Sequence, residues 1–205
     1  MTNIESGLIF GGTSRGAILR YDSHFFKCGV QAVPIEQITE GYGLEIDFMR
    51  LSYNKDLLGR MVFEDGEVAY YDTAADRYKV IEATAGTMLI ESTLLDRPQS
   101  NGRLRFTIAH ELAHWILHKK IFTGEKAVAA YKKSDKREKN AVEWQANYLA
   151  SALLMPAPTL KLAYNQSRFD KGDVVAKGLV KHITRRFQGS LSRPQLVAAN
   201  GVRFL

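Results

Sequence analysis

The stretch RFTIAHELAHWILH, residues 105–118, carries two histidines four residues apart, His110 and His114, with Glu111 between them. Six apolar residues surround these three and favour a largely buried helix: Phe106, Ile108, Leu112, Trp115, Ile116 and Leu117. Residues i and i+4 of a helix lie on one face about one turn apart, so both imidazoles can be directed at a single ion. Zinc accepts imidazole nitrogens at about 2.0–2.1 Å. The stretch therefore predicts a helix that holds zinc.

Glu111 follows His110 directly, which places it beside such an ion rather than on it. A carboxylate in that position can take a proton from water and return it to a leaving amine, so Glu111 is the predicted catalytic residue. The alternative is a helix with two core histidines that are bonded to backbone carbonyls. Two histidines and a glutamate in a buried helix are costly unless something satisfies them, and this cost favours the zinc site.

His118 continues the i+4 series, but it lies about 12 Å along the helix axis from His110, too far to share one ion. The metzincin pattern is also excluded, because it requires Gly at 117 and His at 120, where this chain has Leu117 and Lys120. We therefore expect His118 to lie near the C-terminal end of the helix, beside its exposed carbonyls.

The third zinc ligand has to come from elsewhere, and a second strong helix, AVEWQANYLASALLMP (141–156), offers one. Its stripe at i, i+4, i+7 and i+11 consists of Glu143, Asn147, Ala150 and Leu154. The two C-terminal members of the stripe are apolar, so the whole stripe is expected to face the core, and Glu143 and Asn147 are expected to point inward. We therefore predict Glu143 as the third ligand. The alternative candidate for the third ligand is Glu138, but it belongs to a charged run, and we interpret it as a solvated residue. Asn147 is predicted to accept a hydrogen bond from the non-metal N–H of a ligand imidazole.

The composition is that of an ordinary globular chain of 205 residues. Its net charge of +6 is compatible with binding to nucleic acid or to an acidic partner. Cys28 is the one cysteine, which excludes a disulfide framework and a cysteine-rich zinc site. No apolar run reaches membrane-spanning length, and the N-terminal residues lack a secretory signal pattern. The sequence predicts an intracellular, cytoplasmic protein with no membrane association.

The residues before the zinc helix predict an α+β fold. A flexible N-terminal arm is expected over 1–20, with glycines at 7, 11 and 12, although 15–29 also has apolar residues at helical spacing. A short helix is expected within 33–43, and strands are expected at 44–51, 78–83 and 87–92. The pair Asp65-Gly66 lies between two apolar runs, which predicts a hairpin there. These three to five strands should form one antiparallel or mixed sheet, and 87–92 is our expected edge strand beside the zinc helix.

The residues after the zinc helix are more polar. The run 119–140 contains a basic cluster and is interpreted as a solvated loop or helix start. Helices are expected at 173–187 and 192–200. The predicted organisation is thus the arm over 1–20, the zinc-site domain over 21–156, and a helical segment over 157–205.

RFTIAHELAHWILH followed by EWQANYLASALLMP (143–156) resembles the ImmA/IrrE family of bacterial and phage-associated metallopeptidases. The resemblance is specific over 103–156, supportive over 21–102 and weak beyond Pro156. It implies a zincin-like core with a small sheet packed on the His-Glu helix and the Glu143 helix, zinc on His110, His114 and Glu143, and Glu111 as the catalytic acid and base. It further implies a protein substrate, a helix-turn-helix repressor that is cut to derepress phage, mobile-element or stress genes.

Two features depart from the family pattern. The family usually has Gly where this chain has Ala113, and the C-terminal segment only partly follows a helix-turn-helix pattern. Lys181, Arg185 and Arg186 can meet phosphate or an acidic partner, or form a solvated basic face. The alternatives to a zinc endopeptidase are a protease-like protein that binds a repressor or DNA without efficient cutting, and a metal-dependent hydrolase of small molecules. The oligomeric state does not follow from the sequence.

Overall fold

The computed structural model describes residues 3–96 and 101–171, with side chains described for 10–96 and 101–166. The described part is α+β, and its helices are α1 (Asn3–Tyr21), α2 (Ile35–Gly41), α3 (Asn101–Phe122), α4 (Glu125–Lys133), α5 (Lys136–Leu154) and α6 (Ala157–Lys171). Its strands are β1 (Glu45–Met49), β2 (Gly59–Met61), β3 (Gly66–Asp72), β4 (Arg77–Ala83) and β5 (Thr87–Glu91). None of the described helices is long and apolar enough to cross a membrane.

The strands form two sheets instead of the single sheet that we expected. One is mixed and three-stranded in the order β1-β5-β2, with β1 parallel and β2 antiparallel to β5. The other is the antiparallel pair β3-β4. The predicted hairpin at Asp65-Gly66 is wrong, because β2 and β3, on either side of it, pair with different partners. The Asp65 carboxylate instead accepts a hydrogen bond from the Ala85 N–H at 2.7 Å, which ties the two sheets together.

The expectation that 87–92 is an edge strand is also wrong. β5 lies in the centre of its sheet, and all five of its residues are buried. The run TMLIE has apolar side chains on both faces, Met88 and Ile90 on one and Leu89 on the other, which is the pattern of a strand that is covered on both sides. Among the described residues, β2 is the strand of this sheet that runs antiparallel to β5 and has a neighbour on one side only.

The N-terminal residues form a helix where we expected a loose arm. Phe10, Ala17 and Ile18 of α1 are buried in the main core. The Phe10 ring lies 5.3 Å from the ring of Tyr148 and 6.1 Å from that of Trp144, both on α5. Glycine in a helix costs roughly 0.5–1 kcal/mol relative to alanine, but tertiary packing of an apolar face outweighs this cost. The division of the chain into domains stays a prediction.

Helix α3 runs through the core, with the mixed sheet on one side and α5 on the other. Ile108, Ala109, Leu112 and Ala113 are at most 1% exposed. The N-terminus of α5 is fixed by Asp135, whose side chain accepts from the Glu138 N–H at 2.8 Å, a usual helix cap. The helix ends one residue before Met155, which precedes Pro156, as expected for the residue before a proline. These two helices carry all five residues that the sequence predicts for the site.

The C-terminal part is described as far as residue 171. Helix α6 begins at Ala157, directly after Pro156, and agrees with a helical segment in this region. The helices predicted at 173–187 and 192–200, with Lys181, Arg185 and Arg186, lie outside the described residues.

Candidate metal centre

Three predicted side chains meet between α3 and α5. The Nε2 atoms of His110 and His114 lie 3.0 Å apart, and Glu143 Oε2 lies 3.3 Å from the first and 3.6 Å from the second. His110 and His114 share a face of α3 because they are one helical turn apart. Glu143 reaches them from α5, and its side chain is 53% exposed, so it borders an open cleft and is not the buried carboxylate that the sequence suggested.

The spacing of these atoms fits a zinc ion. Bonds of about 2.0–2.1 Å at tetrahedral angles place neighbouring ligand atoms about 3.3 Å apart, and the three distances between these atoms scatter around that value. Two imidazole nitrogens and one carboxylate oxygen are also the donor set of a common type of catalytic zinc site. Hydrogen bonds with His110 and then His114 hold the pKa of Glu143 well below its usual range. The carboxylate is therefore ionised and available to a cation.

Glu111 lies beside this group, against strand β2. It is 7% exposed, and burial raises the pKa of its carboxyl, an effect opposed by the nearby His110 and His114. The Met61 N–H faces the carboxylate and also lowers its pKa. A Cβ atom added at Gly59 would lie 2.6 Å from Glu111 Oε1, so β2 can approach α3 this closely only with glycine there. The strand thus fixes the position of the Glu111 side chain.

His118 has a different place from the one we expected. It is 2% exposed and lies a full turn before Phe122, where α3 ends, so it does not face the helix terminus. Its Nδ1 lies 3.1 Å from His114 Nδ1, and its Nε2 lies 3.0 Å from Gln145 Oε1 on α5. Burial is the main reason that the pKa of His118 is lowered, which favours the neutral imidazole. As expected, His118 is not among the three residues whose ligand atoms converge.

Asn147 lies one turn after Glu143 and lines the same cleft as His110. Burial lowers the pKa of His110, but Glu143, the charge of Glu111 and the Asn147 side chain together shift it upward. His110 Nδ1 is buried and has no hydrogen-bond partner within the described residues. The role of Asn147 as an acceptor for a ligand imidazole stays a prediction.

The metal-ligand group lies in a cleft of about 510 Å³ between β2 and the helices α3, α4 and α5. Phe63, Phe106 and Phe122 give the cleft apolar walls, and Tyr131 of α4 is the tyrosine that lines it among the described residues. The Tyr131 ring packs edge-on against Phe122 at 4.8 Å. Burial, and then the charge of Glu143, raise the pKa of its hydroxyl above the usual tyrosine range.

One side of the cleft is an open strand edge. Leu58 C=O accepts from Glu91 N–H, and Val62 N–H donates to Thr87 C=O, so these positions of the chain face β5. Backbone groups alternate in direction along an antiparallel strand. The N–H and C=O groups of Gly59 and Met61 therefore point away from β5, towards the cleft.

The chain matches the family model of peptidase M78, described as the IrrE N-terminal-like domain, over residues 76–192. A match of this kind defines a protein with a metallopeptidase-type fold. Because it covers more than half of the 205 residues, the chain belongs to this family. The match begins at the turn before β4 and continues past Pro156, further towards the C-terminus than the resemblance expected from the sequence. No curated protein matches the chain.

Proposed function

We propose that this protein is a zinc-dependent endopeptidase with a zincin-like core, and that its substrate is a helix-turn-helix transcriptional repressor. The observation that carries the proposal is the convergence of His110 Nε2, His114 Nε2 and Glu143 Oε2 within 3.0–3.6 Å beside the buried Glu111. Membership of the peptidase M78 family supports the reaction class. The repressor as substrate rests on the resemblance of residues 105–118 and 143–156 to ImmA/IrrE metallopeptidases.

Zinc on these three side chains would supply a Lewis acid that makes water a nucleophile near neutral pH. Glu111 performs the proton transfers. It accepts a proton as the water oxygen bonds to the peptide carbonyl carbon, and it donates that proton to the leaving nitrogen as the C–N bond breaks. Burial moves its pKa upward, towards the range in which one carboxyl can do both. A protein that only binds its partner has no use for this group.

The open edge of β2 supports an extended peptide as the form in which the substrate binds. A segment that adds to this edge takes its affinity from backbone hydrogen bonds to Gly59 and to the Met61 C=O, because the Met61 N–H faces Glu111. The segment passes directly beside the Glu111 carboxylate. Its side chains alternate between the cleft and solvent, and the phenylalanines of the cleft favour an apolar residue. A helix cannot pair in this way, so the cut falls in an unwound segment such as the linker between DNA-binding and dimerisation elements.

Tyr131 is our candidate for the group that stabilises the negative charge on the carbonyl oxygen. The sequence offers nine tyrosines and no reason to choose among them. Tyr131 lines the cleft with the three ligands, and a tyrosine hydroxyl is a protonated hydrogen-bond donor at neutral pH. Such donors act by electrostatic preorganisation in the transition state.

The experiment is incubation of the zinc-loaded protein with any helix-turn-helix repressor that is encoded beside its gene, followed by intact-mass spectrometry. We expect one or a few discrete fragments, which disappear with a chelator and with the Glu111→Gln variant. Stable binding without any fragment would favour the protease-like regulatory protein instead. Processive degradation of unfolded proteins, with the repressor left intact, would indicate a general peptidase.

A further inference from the structure

Three side chains form a continuous hydrogen-bonded line that ends at the candidate metal position. Gln145 Oε1 lies 3.0 Å from His118 Nε2, and His118 Nδ1 lies 3.1 Å from His114 Nδ1. The remaining ring nitrogen, His114 Nε2, faces His110 and Glu143. The line therefore uses both nitrogens of His118 and both nitrogens of His114.

With the amide oxygen of Gln145 facing His118, the chemistry of these groups sets the position of every proton in the line. An amide oxygen only accepts hydrogen bonds, so His118 Nε2 has to carry a hydrogen. In a neutral imidazole the other nitrogen is then an acceptor, so His118 Nδ1 accepts and His114 Nδ1 has to donate. His114 in turn keeps a free lone pair on Nε2, the form in which an imidazole binds a metal.

We propose that His118 and Gln145 are positioning residues that hold His114 in the tautomer and ring orientation that bind zinc. The proposal rests on the metal site of the proposed function, and it adds two residues outside the His-Glu-His pattern. Ligand histidines usually donate their second N–H to a carboxylate, a backbone carbonyl or water. Here a second histidine takes that place, and an amide oxygen on α5 determines which way it donates.

The burial of His118 argues against a role as simple core filling. At 2% exposure its imidazole has lost nearly all contact with water, and a buried polar group costs free energy unless it is hydrogen-bonded. An apolar side chain would fill the same space without that cost. His110, His114 and His118 lie one turn apart on the same face of α3, so the helix itself aligns the line with the metal position.

The first test is the dissociation constant for zinc alone, measured by competition with a chromophoric chelator. His118→Phe keeps a ring but removes the acceptor, and Gln145→Leu removes the amide oxygen at similar size. We expect His118→Phe to weaken zinc binding by about 10–100-fold, and Gln145→Leu to weaken it by less. His118→Asn, whose amide oxygen comes close to the position of the imidazole Nδ1, should recover part of the loss. His24→Phe, at an exposed histidine, is the matched control and should bind like the wild type.

The second test uses the wild-type protein and does not depend on how well a variant folds. Nitrogen-15 NMR of the histidine rings distinguishes the two neutral tautomers. We expect His118 with its hydrogen on Nε2 and zinc-loaded His114 with its hydrogen on Nδ1. The opposite tautomer of His118, a doubly protonated His118, or wild-type zinc affinity in both His118→Phe and Gln145→Leu would overturn the proposal.

These outcomes separate the positioning role from the proposed function. If the wild type binds zinc and both variants bind it equally well, only the roles of His118 and Gln145 fail. If the wild type binds no zinc at all, the metal site fails, and the positioning role fails with it.

Discussion

Gly59 on strand β2 and Glu111 on helix α3 are in such close contact that the structure has no space for a side chain at Gly59. An added Cβ atom would lie 2.6 Å from Glu111 Oε1 and 2.8 Å from both Glu111 Cγ and Thr107 Cγ2. The strand edge proposed to bind substrate therefore also holds the proposed general base in place. In the proposed mechanism, the three-residue strand β2 sets both the position of the substrate and the position of Glu111.

The Gly59→Ala variant tests this contact. We expect kcat to fall about 100-fold, because a displacement of about 1 Å in a catalytic group can cost that much. The free energy of unfolding should also fall by about 1–3 kcal/mol through overpacking. Zinc affinity should change little, since none of the three ligands lies on β2. The control is Gly16→Ala in α1, where an added Cβ meets nothing within 4 Å. Unchanged kcat in Gly59→Ala would show that the contact does not matter for catalysis.

The Glu111→Gln variant separates catalysis from metal binding. Glutamine has nearly the same shape but cannot accept the proton of the attacking water. We expect cleavage to slow by about 10²–10⁴-fold, the usual contribution of general acid-base catalysis. Zinc content by elemental analysis and the thermal unfolding midpoint of the metal-free protein serve as controls for metal binding and fold. Cleavage near the wild-type rate would remove Glu111 from the mechanism.

The third ligand is tested by a pair of substitutions on one helix. Glu143→Ala removes the carboxylate that lies 3.3 Å from His110 Nε2, and we expect zinc affinity to fall at least about 100-fold. Glu138→Ala is the matched control, because Glu138 is an exposed acid in the first turn of α5 and is not part of the ligand group. Unchanged affinity in Glu143→Ala, or an equal loss in Glu138→Ala, would move the third ligand elsewhere.

If the substrate adds as a strand to β2, N-methylation of its backbone should slow cleavage at every second residue and have little effect at the residues between them. Every second residue of a peptide in an antiparallel pair exchanges hydrogen bonds with its neighbour. N-methylation at those positions should lower kcat/KM by about 2–12-fold each, equivalent to about 0.5–1.5 kcal/mol per lost bond. The positions between them should tolerate the methyl group and act as internal controls. Equal tolerance at all positions around the scissile bond would argue against an added strand.

The Tyr131→Phe variant tests the proposed stabilisation of the carbonyl oxygen. Removal of one donor of this kind costs about 10²–10³-fold in kcat, and we expect a loss of that order with unchanged zinc affinity. Tyr21→Phe, at an exposed position at the end of α1, is the matched control. If the two variants have the same kcat, the stabilising group lies elsewhere in the cleft.

Local patterns in the sequence were sufficient to find the three side chains that converge. His110 and His114 are brought together by helix geometry alone, and Glu143 was singled out because it lies on the same stripe of a second helix as Asn147 and the apolar residues that follow. The same reasoning identified α2, β4 and β5, whose apolar residues follow helical or strand patterns. These features depend on neighbours within one or two turns of the chain.

The errors arose where the outcome depends on distant partners. Asp65-Gly66 has the composition of a hairpin turn, but β2 pairs with β5, which lies more than twenty residues further along the chain. The uninterrupted apolar run Met88-Leu89-Ile90 is the sequence signal of a central strand, whereas closeness in sequence to α3 says nothing about which strand lies at the edge.

The roles proposed for Gly59 and Gln145 had no signal in the sequence at all. Gly59 matters because another element approaches it, and Gln145 matters because α5 turns it towards His118. For His118 the i+4 spacing was visible, but only the packing of α5 over α3 shows that it is buried. Contacts between elements of this kind appear only when the fold is known.

The most direct test of the metal centre is anomalous diffraction at the zinc absorption edge from a crystal of the zinc-loaded protein. We predict one strong peak per chain, at about 2.0–2.1 Å from His110 Nε2, His114 Nε2 and a Glu143 oxygen, with one further position open towards the cleft. The peak should be absent from crystals of the Glu143→Ala variant grown at the same zinc concentration. A zinc peak on other side chains, with none between these three residues, would contradict the account.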